Sequence, residues 1–371
     1  MSKSDTPASL GFRMPAEWEP HDATWIAWPH NREDWPGKFG PIPWVYTEIV
    51  RHLSEVETVH ILVNDRATRQ NAADRLDRAG VDPERVVFHK IRTDRVWTRD
   101  TGPTFVVNPQ LASPLAVGLV GWRFNGWAKY HDHKRDRRVP SRLAHRLGLN
   151  LWTPEVEIEG KSRPVVLEGG SIDVNGKGTL LTTEECLLSE IQARNPGLAK
   201  EALERVFTDF LGISKVIWLG RGIGGDDTHG HVDDLARFVD ASTVVTVVEP
   251  NAHDENYEAL ADNLERLQAA TDQDGNPLKI VTLPMPRPVV FEGQRLPASY
   301  ANFYVANGLV LVPTFNDPAD RIALNTLSEL FPDRQVVGIH AVDLLWGLGT
   351  IHCLTQQQPA APSHEPASTV E

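Results

Sequence analysis

The stretch LEGGSIDVNGKGTLLTTE (167–184), followed by an amphipathic segment at 198–211 and by KVIWLG (215–220), decides the fold. It reads as two strands about a glycine-containing turn, a helix with apolar residues at three- and four-residue spacing, and a third strand. The same order returns twice. GHVDDLARFVDASTVVTVVE (230–249) leads to a helix over 256–269 and then LKIVTLP (278–284), and SYANFYVANGLVLVPTF (299–315) leads to a helix over 319–331 and then QVVGIH (335–340). VWTRDTGPTFVVN (96–108), with LAVGLVGW (115–122), begins a fourth, less regular unit. Weak periods of this kind mark repeat architectures. If the units are arranged radially, their first strands converge on one axis.

Working outward, further strands are predicted at Thr24–Trp28, Val59–Val63, Val86–Ile91 and Val165–Leu167, and helices at Trp44–Ser54 and Thr68–Ala79. Alternation of short β-rich runs with amphipathic helices is the α/β pattern. Connections are short and no Gly/Ser or Pro linker divides the chain, so one domain is expected over residues 10–358. PAAPSHEPASTVE, at 359–371, is small, polar and Pro-rich, and is expected to be a disordered tail.

Each unit opens with a polar residue in an otherwise apolar predicted strand: Asp100, Glu168, His231, Asn302 and, in GLGTIHCLTQQQ (347–358), Cys353. A radial arrangement would gather them in a central pocket. Cys with His is the inventory of covalent catalysis, in which a thiolate attacks and an imidazole moves protons. Taken singly, each has a plainer reading: Cys353 as a small core residue, Asp100 as a turn or as a partner of Arg99. Cys186, at a helix edge in TTEECLLSE, earns only the plainer reading. Three carboxylates (Asp100, Glu168, Asp233) beside a thiol raise its pKa, which makes sense if the substrate is itself a cation. A guanidinium is planar and offers five donors, so Asp100 and Asp233 could each hold one edge and leave its carbon open to sulfur. The bound cation would then help to activate Cys353.

Composition narrows the classes. The 371 residues carry 37 Lys+Arg against 50 Asp+Glu, a net charge of −13, which disfavours a polyanion such as nucleic acid and suits a small cationic partner. Two cysteines cannot form a disulfide framework, the first residues lack the apolar core of a signal peptide, and no apolar run is long enough to span a bilayer. A cytoplasmic setting, without membrane, fits best. Eleven tryptophans are more than a core needs, and eight of them (Trp18, Trp25, Trp28, Trp35, Trp44, Trp97, Trp122, Trp127) precede residue 130.

At this point the sequence resembles the agmatine deiminases and Porphyromonas-type peptidylarginine deiminases of the guanidine-modifying pentein superfamily. The resemblance rests on MPAEWEPHDATWIAWP (14–29), VWTRDTGPTFVV (96–107), FNGW (124–127), LEGGSIDVNGKGTLLTTEECLL (167–188), RNPG (194–197), IWLGRGIGGDDTHGHVDDLARF (217–238), ASYANFYVANG (298–308) and IHCLTQQQP (351–359). It implies a five-bladed ββαβ propeller with pseudo-fivefold symmetry. It also implies Cys353 as nucleophile, His231 as general acid/base, Glu168 as the residue orienting the imidazole, and Asp100 and Asp233 as the guanidinium clamp. Asp227 matches a substrate-binding position and Trp97 an aromatic wall. The implied reaction converts agmatine and water to N-carbamoylputrescine and ammonia through a Cys-bound thiouronium, a step of putrescine biosynthesis, with neither metal nor organic cofactor; a homodimer is implied as well. The chain departs from the plant-type pattern GGGNIHC at Leu348 and Thr350, and its GDDTHGH (225–231) is one residue shorter than GDEDTNGH.

The alternatives are a deiminase of free or peptidyl arginine, a catalytically silent guanidine binder, and a metal-dependent hydrolase using His229-x-His231-x-Asp233. His131-x-His133 could be read as a ligand pair too, though its charged setting favours a solvated loop.

Overall fold

The computed structural model describes residues 5–158 and 160–361. Five sheets of three or four strands share one plan. In each, the first strand pairs antiparallel with the second, and the second pairs parallel with the third across a helical crossover, as parallel neighbours require. Thr104–Val107, Val117–Val120 and Leu151–Trp152 make one sheet, with helix Val139–Leu147 as the crossover. Asp173–Val174, Thr179–Thr183 and Lys215–Leu219 make the next around helix Lys200–Leu211. Ala236–Phe238, Thr243–Val248 and Lys279–Pro284 follow with helix Tyr257–Ala269, and Tyr304–Ala306, Leu309–Thr314 and Gln335–His340 with helix Ala319–Leu330.

The fifth sheet is drawn from both ends of the sequence. Gln356–Pro359 runs antiparallel to His21–Ala27, which continues in parallel to Thr58–Val63 and Val86–Lys90. Its first crossover is helix Ile42–Val56 and its second is Arg66–Arg78. Residues 362–371 of the expected tail lie outside the described residues, and Pro359 itself is paired with His21.

Local chemistry explains the elements. In TVVTVV (243–248) the β-branched side chains suit a pleated surface, and all but the last residue are buried. Helix Lys200–Leu211 buries Leu203, Val206, Phe207 and Leu211, one stripe at helical spacing, and ends at Gly212 with φ 72°. Asp65 caps Arg66–Arg78 by accepting from the Thr68 N–H at 2.7 Å.

Three expectations need correction. Val165–Leu167 is not a strand: Val165 N–H donates to Pro154 O and Val166 N–H to Asn195 Oδ1, so loop acceptors replace a ladder. The neighbouring hairpin pairs Glu155–Ile158 with Lys161–Pro164. Helix Val139–Leu147 was missed in a segment crowded with arginine and histidine, whose buried stripe is only Val139, Pro140, Leu143 and Ala144. The polar residues that open each unit also lie outside the strands. Asp100 and Cys353 sit in single helical turns, Thr98–Thr101 and Ile351–Leu354, while Glu168 and His231 directly precede the turns Gly169–Ser171 and Val232–Asp234. Upstream of the paired strands the backbone lacks lateral partners, so its N–H groups turn to local carbonyls, as when Asp100 and Thr101 both donate to Trp97 O.

Trp25, Trp28, Trp35, Trp97, Trp122 and Trp127 of the N-terminal tryptophans are buried, whereas Trp44 is exposed under the guanidinium of Arg75. Most of the excess is therefore packing. Among the described residues no helix is long and apolar enough to cross a membrane.

Candidate active site

The turns preceding the first strands bring the predicted residues together. An added Cβ at Gly170 would lie 2.6 Å from His231 Nδ1, 3.0 Å from Asp100 Oδ1 and 3.0 Å from Asp233 Oδ2, so three side chains from two other units converge on one glycine that leaves the space open. Gly349 does the same for the turn of Cys353: its Cβ would meet the Trp97 ring at 2.7 Å and Cys353 Cβ at 3.2 Å. Asp100, Trp97, Cys353 and Asp227 line a cleft of about 220 Å³, with Trp127 and Leu348 also in its wall.

Each carboxylate is held differently. Asp100 Oδ2 accepts from Trp127 Nε1 at 2.8 Å and Oδ1 accepts from the Gly170 N–H at 3.0 Å. Burial raises its pKa, Asp233 and Glu168 add to the rise, and His231 opposes it. Glu168, fully buried, takes the Nε–H of Arg194 on both oxygens at 3.1 Å. Its burial would raise the pKa, but Arg194 and His231 outweigh that and hold it below the usual range. Asp233 Oδ2 lies 2.7 Å from His352 Nδ1, while its Oδ1 is buried without a hydrogen-bond partner.

His231 is 1 % exposed, with Nε2 3.5 Å from Glu168 Oε2 and Nδ1 3.9 Å from Asp100 Oδ1. Neither ring nitrogen makes a hydrogen bond. Burial disfavours its charged form, yet Asp100, Cys186 and Glu168 prevail and raise its pKa well above the ordinary value. Cys353, 7 % exposed, is raised as well: burial first, then Asp233, Asp234 and Asp100, lift the thiol well above its usual range. The cysteine's turn is pinned by Asn302, whose Oδ1 accepts from His352 N–H at 3.0 Å and Thr350 Oγ1 at 2.7 Å, and whose Nδ2 approaches Cys353 Sγ at 3.2 Å.

The structure adds residues that the sequence reading left without a role. His352 bridges Asp233 and Glu17, with Nε2 2.9 Å from Glu17 Oε2. Glu17 is paired in turn with Arg99 at 3.1 Å and Arg237 at 3.0 Å, and Arg237 with Asp173 at 2.7 Å. Arg99 thus belongs to Glu17 and not to its neighbour Asp100. Glu17 and Arg194 stood inside motifs quoted for the resemblance, but nothing in their spacing shows that they meet the site. Asp227 is an ion-pair partner of Lys129 and accepts from Tyr130 OH at 2.5 Å, so its carboxylate reaches the cleft already paired with a cation.

The ligand triplet of the metal-hydrolase alternative is not assembled. His229 takes φ 66° and turns its Nε2 toward Ser189 Oγ at 3.3 Å. His131 is exposed. Among the described residues the one set of three His, Cys, Asp or Glu donors within 4.8 Å of one another is Glu168, Cys186 and His231.

Known proteins resemble this chain over nearly its full length. Residues 13–359 match the Porphyromonas-type peptidyl-arginine deiminase family. The chain is 36% identical to the agmatine deiminase of Ectopseudomonas mendocina over 96% of this chain and 97% of that protein, and 36% identical to that of Pseudomonas aeruginosa over 96% and 98%. Among solved structures, the agmatine deiminase of Enterococcus faecalis superposes with a TM-score of 0.86 at 33% identity, covering 96% of this chain and 98% of that one. A cysteine-to-serine variant of the C. jejuni agmatine deiminase, solved with substrate bound, gives a TM-score of 0.81 at 29% identity, covering 94% and 97%.

Proposed function

The chain belongs to the Porphyromonas-type peptidyl-arginine deiminase family, and from that premise we propose that it is a hydrolase of the guanidino group that converts agmatine and water to N-carbamoylputrescine and ammonia. The observation that carries this reading is the convergence of Asp100, Asp233 and His231 around Gly170, beside the turn that holds Cys353. Two buried carboxylates in one site strongly favour a cation between them, and a planar guanidinium can take one edge from each.

In the proposed reaction the thiol of Cys353 gives its proton to solvent as the substrate's positive charge enters, because that charge offsets the carboxylates that raise its pKa. Sulfur then bonds to the guanidino carbon. The imidazolium of His231 protonates the departing nitrogen, the C–N bond breaks, and ammonia leaves a thiouronium on Cys353. Water, giving one proton to His231, attacks the same carbon; the C–S bond breaks, the remaining hydroxyl proton is lost and the thiol of Cys353 is restored, and the neutral ureido group departs. Glu168 would keep the imidazole oriented and favour its charged form at the start of each turnover, and Trp97 would flank the alkyl chain. Asp227, already paired with Lys129, would help to shape the cleft. The C. jejuni variant supports the assignment to Cys353, because a serine-for-cysteine deiminase of this fold holds bound substrate.

The five sheets of one plan support a five-bladed ββαβ arrangement over residues 10–358 as a single catalytic domain. We extend the reading to a cytoplasmic homodimer that binds no nucleic acid and needs no cofactor, which light scattering and metal analysis of active protein would check. The decisive experiment is a panel of agmatine, free arginine and arginine-containing peptides assayed for ammonia and ureido product, with Cys353→Ala alongside. Turnover of agmatine that vanishes in the variant is expected. Turnover that survives the substitution would remove Cys353 as nucleophile, and a preference for arginine or peptides would reassign the substrate.

A further inference from the structure

We infer that Glu168, Cys186 and His231 form a binding site for one soft divalent cation of the zinc or cadmium class, and that its occupation switches off the proton carrier without touching Cys353. Cys186 has no part in the reaction proposed above. It is 1 % exposed, and its Sγ, a Glu168 oxygen and a His231 nitrogen lie within 4.8 Å of one another. Tetrahedral zinc holds sulfur at about 2.3 Å and nitrogen or oxygen at about 2.0–2.2 Å, which sets ligand-to-ligand edges of roughly 3.3–3.7 Å. The Glu168 Oε2 to His231 Nε2 distance of 3.5 Å already fits, so only a small inward shift of the thiol is required.

The second observation is independent of that spacing. Both nitrogens of a histidine that is 1 % exposed lack a hydrogen-bond partner, so once its proton is displaced a ring nitrogen can ligate without breaking a hydrogen bond. Thiolate, imidazole and one carboxylate select zinc-like ions over magnesium or calcium, which prefer all-oxygen shells. Ligation needs the thiolate and the neutral imidazole, so the entering dication displaces the thiol proton and the imidazolium proton and leaves the buried charge unchanged. The way in passes Asp100, which lines the cleft and whose Oδ1 stands 3.9 Å from His231 Nδ1.

The chain has two cysteines, so in Cys353→Ala protein Cys186 is the only thiol. Titration of that variant with cadmium, followed by the ultraviolet cadmium–thiolate charge-transfer band and by equilibrium dialysis, is expected to saturate at one ion per chain. The band should disappear on adding Cys186→Ser. Absence of the band in Cys353→Ala, or its persistence in the double variant, overturns the site. In otherwise unaltered enzyme, zinc should inhibit ammonia release reversibly, and Cys186→Ser should raise the half-inhibiting concentration about tenfold or more. An unchanged value overturns the coupling to the proton carrier. The cadmium titration uses no substrate, so failure of the proposed deiminase activity would not be mistaken for failure of the site.

Discussion

Two histidines stand in turns on either side of the candidate site, and their surroundings are opposite. His352, in the turn Ile351–Leu354, has each ring nitrogen within hydrogen-bonding distance of a carboxylate, Asp233 at 2.7 Å and Glu17 at 2.9 Å. His231, at the turn Val232–Asp234, is equally buried and flanked by Asp100 and Glu168, yet neither nitrogen is bonded. A ring tied at both ends is a strut, since moving a proton there would break contacts that hold two buried acids. A ring close to acids but bonded to none keeps the charge they favour and stays free to give its proton to a third party. The contrast separates scaffold from chemistry inside one cluster of carboxylates.

The largest expected effect tests the free ring. His231→Gln should lower kcat for agmatine about 10²–10⁴-fold, the usual worth of a positioned proton carrier, while binding measured by calorimetry in a Cys353→Ala background changes only a few-fold. A loss confined to binding would place His231 with the clamp instead. His352→Ala tests the strut. It leaves Asp233 and Glu17 each short of a buried partner, and a denaturant melt should show a loss of about 3–5 kcal/mol. A melt within error of the parent would mean that the bridge carries no load and would dissolve the contrast.

The thiol of Cys353, 3.8 Å from Asp233 Oδ2, has a raised pKa that gives a pH test. Thiolate should form only as pH climbs through a value above the ordinary one, so alkylation of Cys353 by a neutral haloacetamide should run at least about tenfold slower at pH 8 than alkylation of free cysteine, and should still be rising beyond pH 9. A rate that levels off below pH 8.5 would show a thiolate formed without substrate. The smallest effect concerns Leu348, which lines the cleft in the left-handed region at φ 67°. That conformation costs a leucine about 1–2 kcal/mol, while glycine gives back about 0.5–1 in chain entropy, so Leu348→Gly should stabilise by about 0.5–1 kcal/mol and move KM only a few-fold. A clear destabilisation would show that its packing outweighs the backbone strain.

Much of this was legible in the sequence because it is written locally. The helix over 200–211 announces its buried stripe, TVVTVV announces a strand, and the recurrent order of elements gathers Asp100, Glu168, His231, Asn302 and Cys353 without any coordinates. The strut was not legible, because it is made across the chain: His352 and Glu17 are 335 residues apart, and no period links them. Cys186 was passed over for the related reason that a buried cysteine at a helix edge looks the same whether its neighbour is a leucine or an imidazole. The helical turns were misread as strands, since periodicity reports which face is apolar and says nothing about where lateral pairing stops.

The sheet shared by the two ends of the chain bears on how the protein is made. His21–Ala27 leaves the ribosome early and must wait for Gln356–Pro359, the strand that immediately follows the turn carrying Cys353. Cys353 and the antiparallel neighbour of the first strand are therefore delivered together, after the other four sheets can already have folded. A nascent chain would hold Asp100 and Asp233 well before it holds Cys353, so on the proposed mechanism reactivity would begin only when the N-terminal strand has gained its antiparallel neighbour.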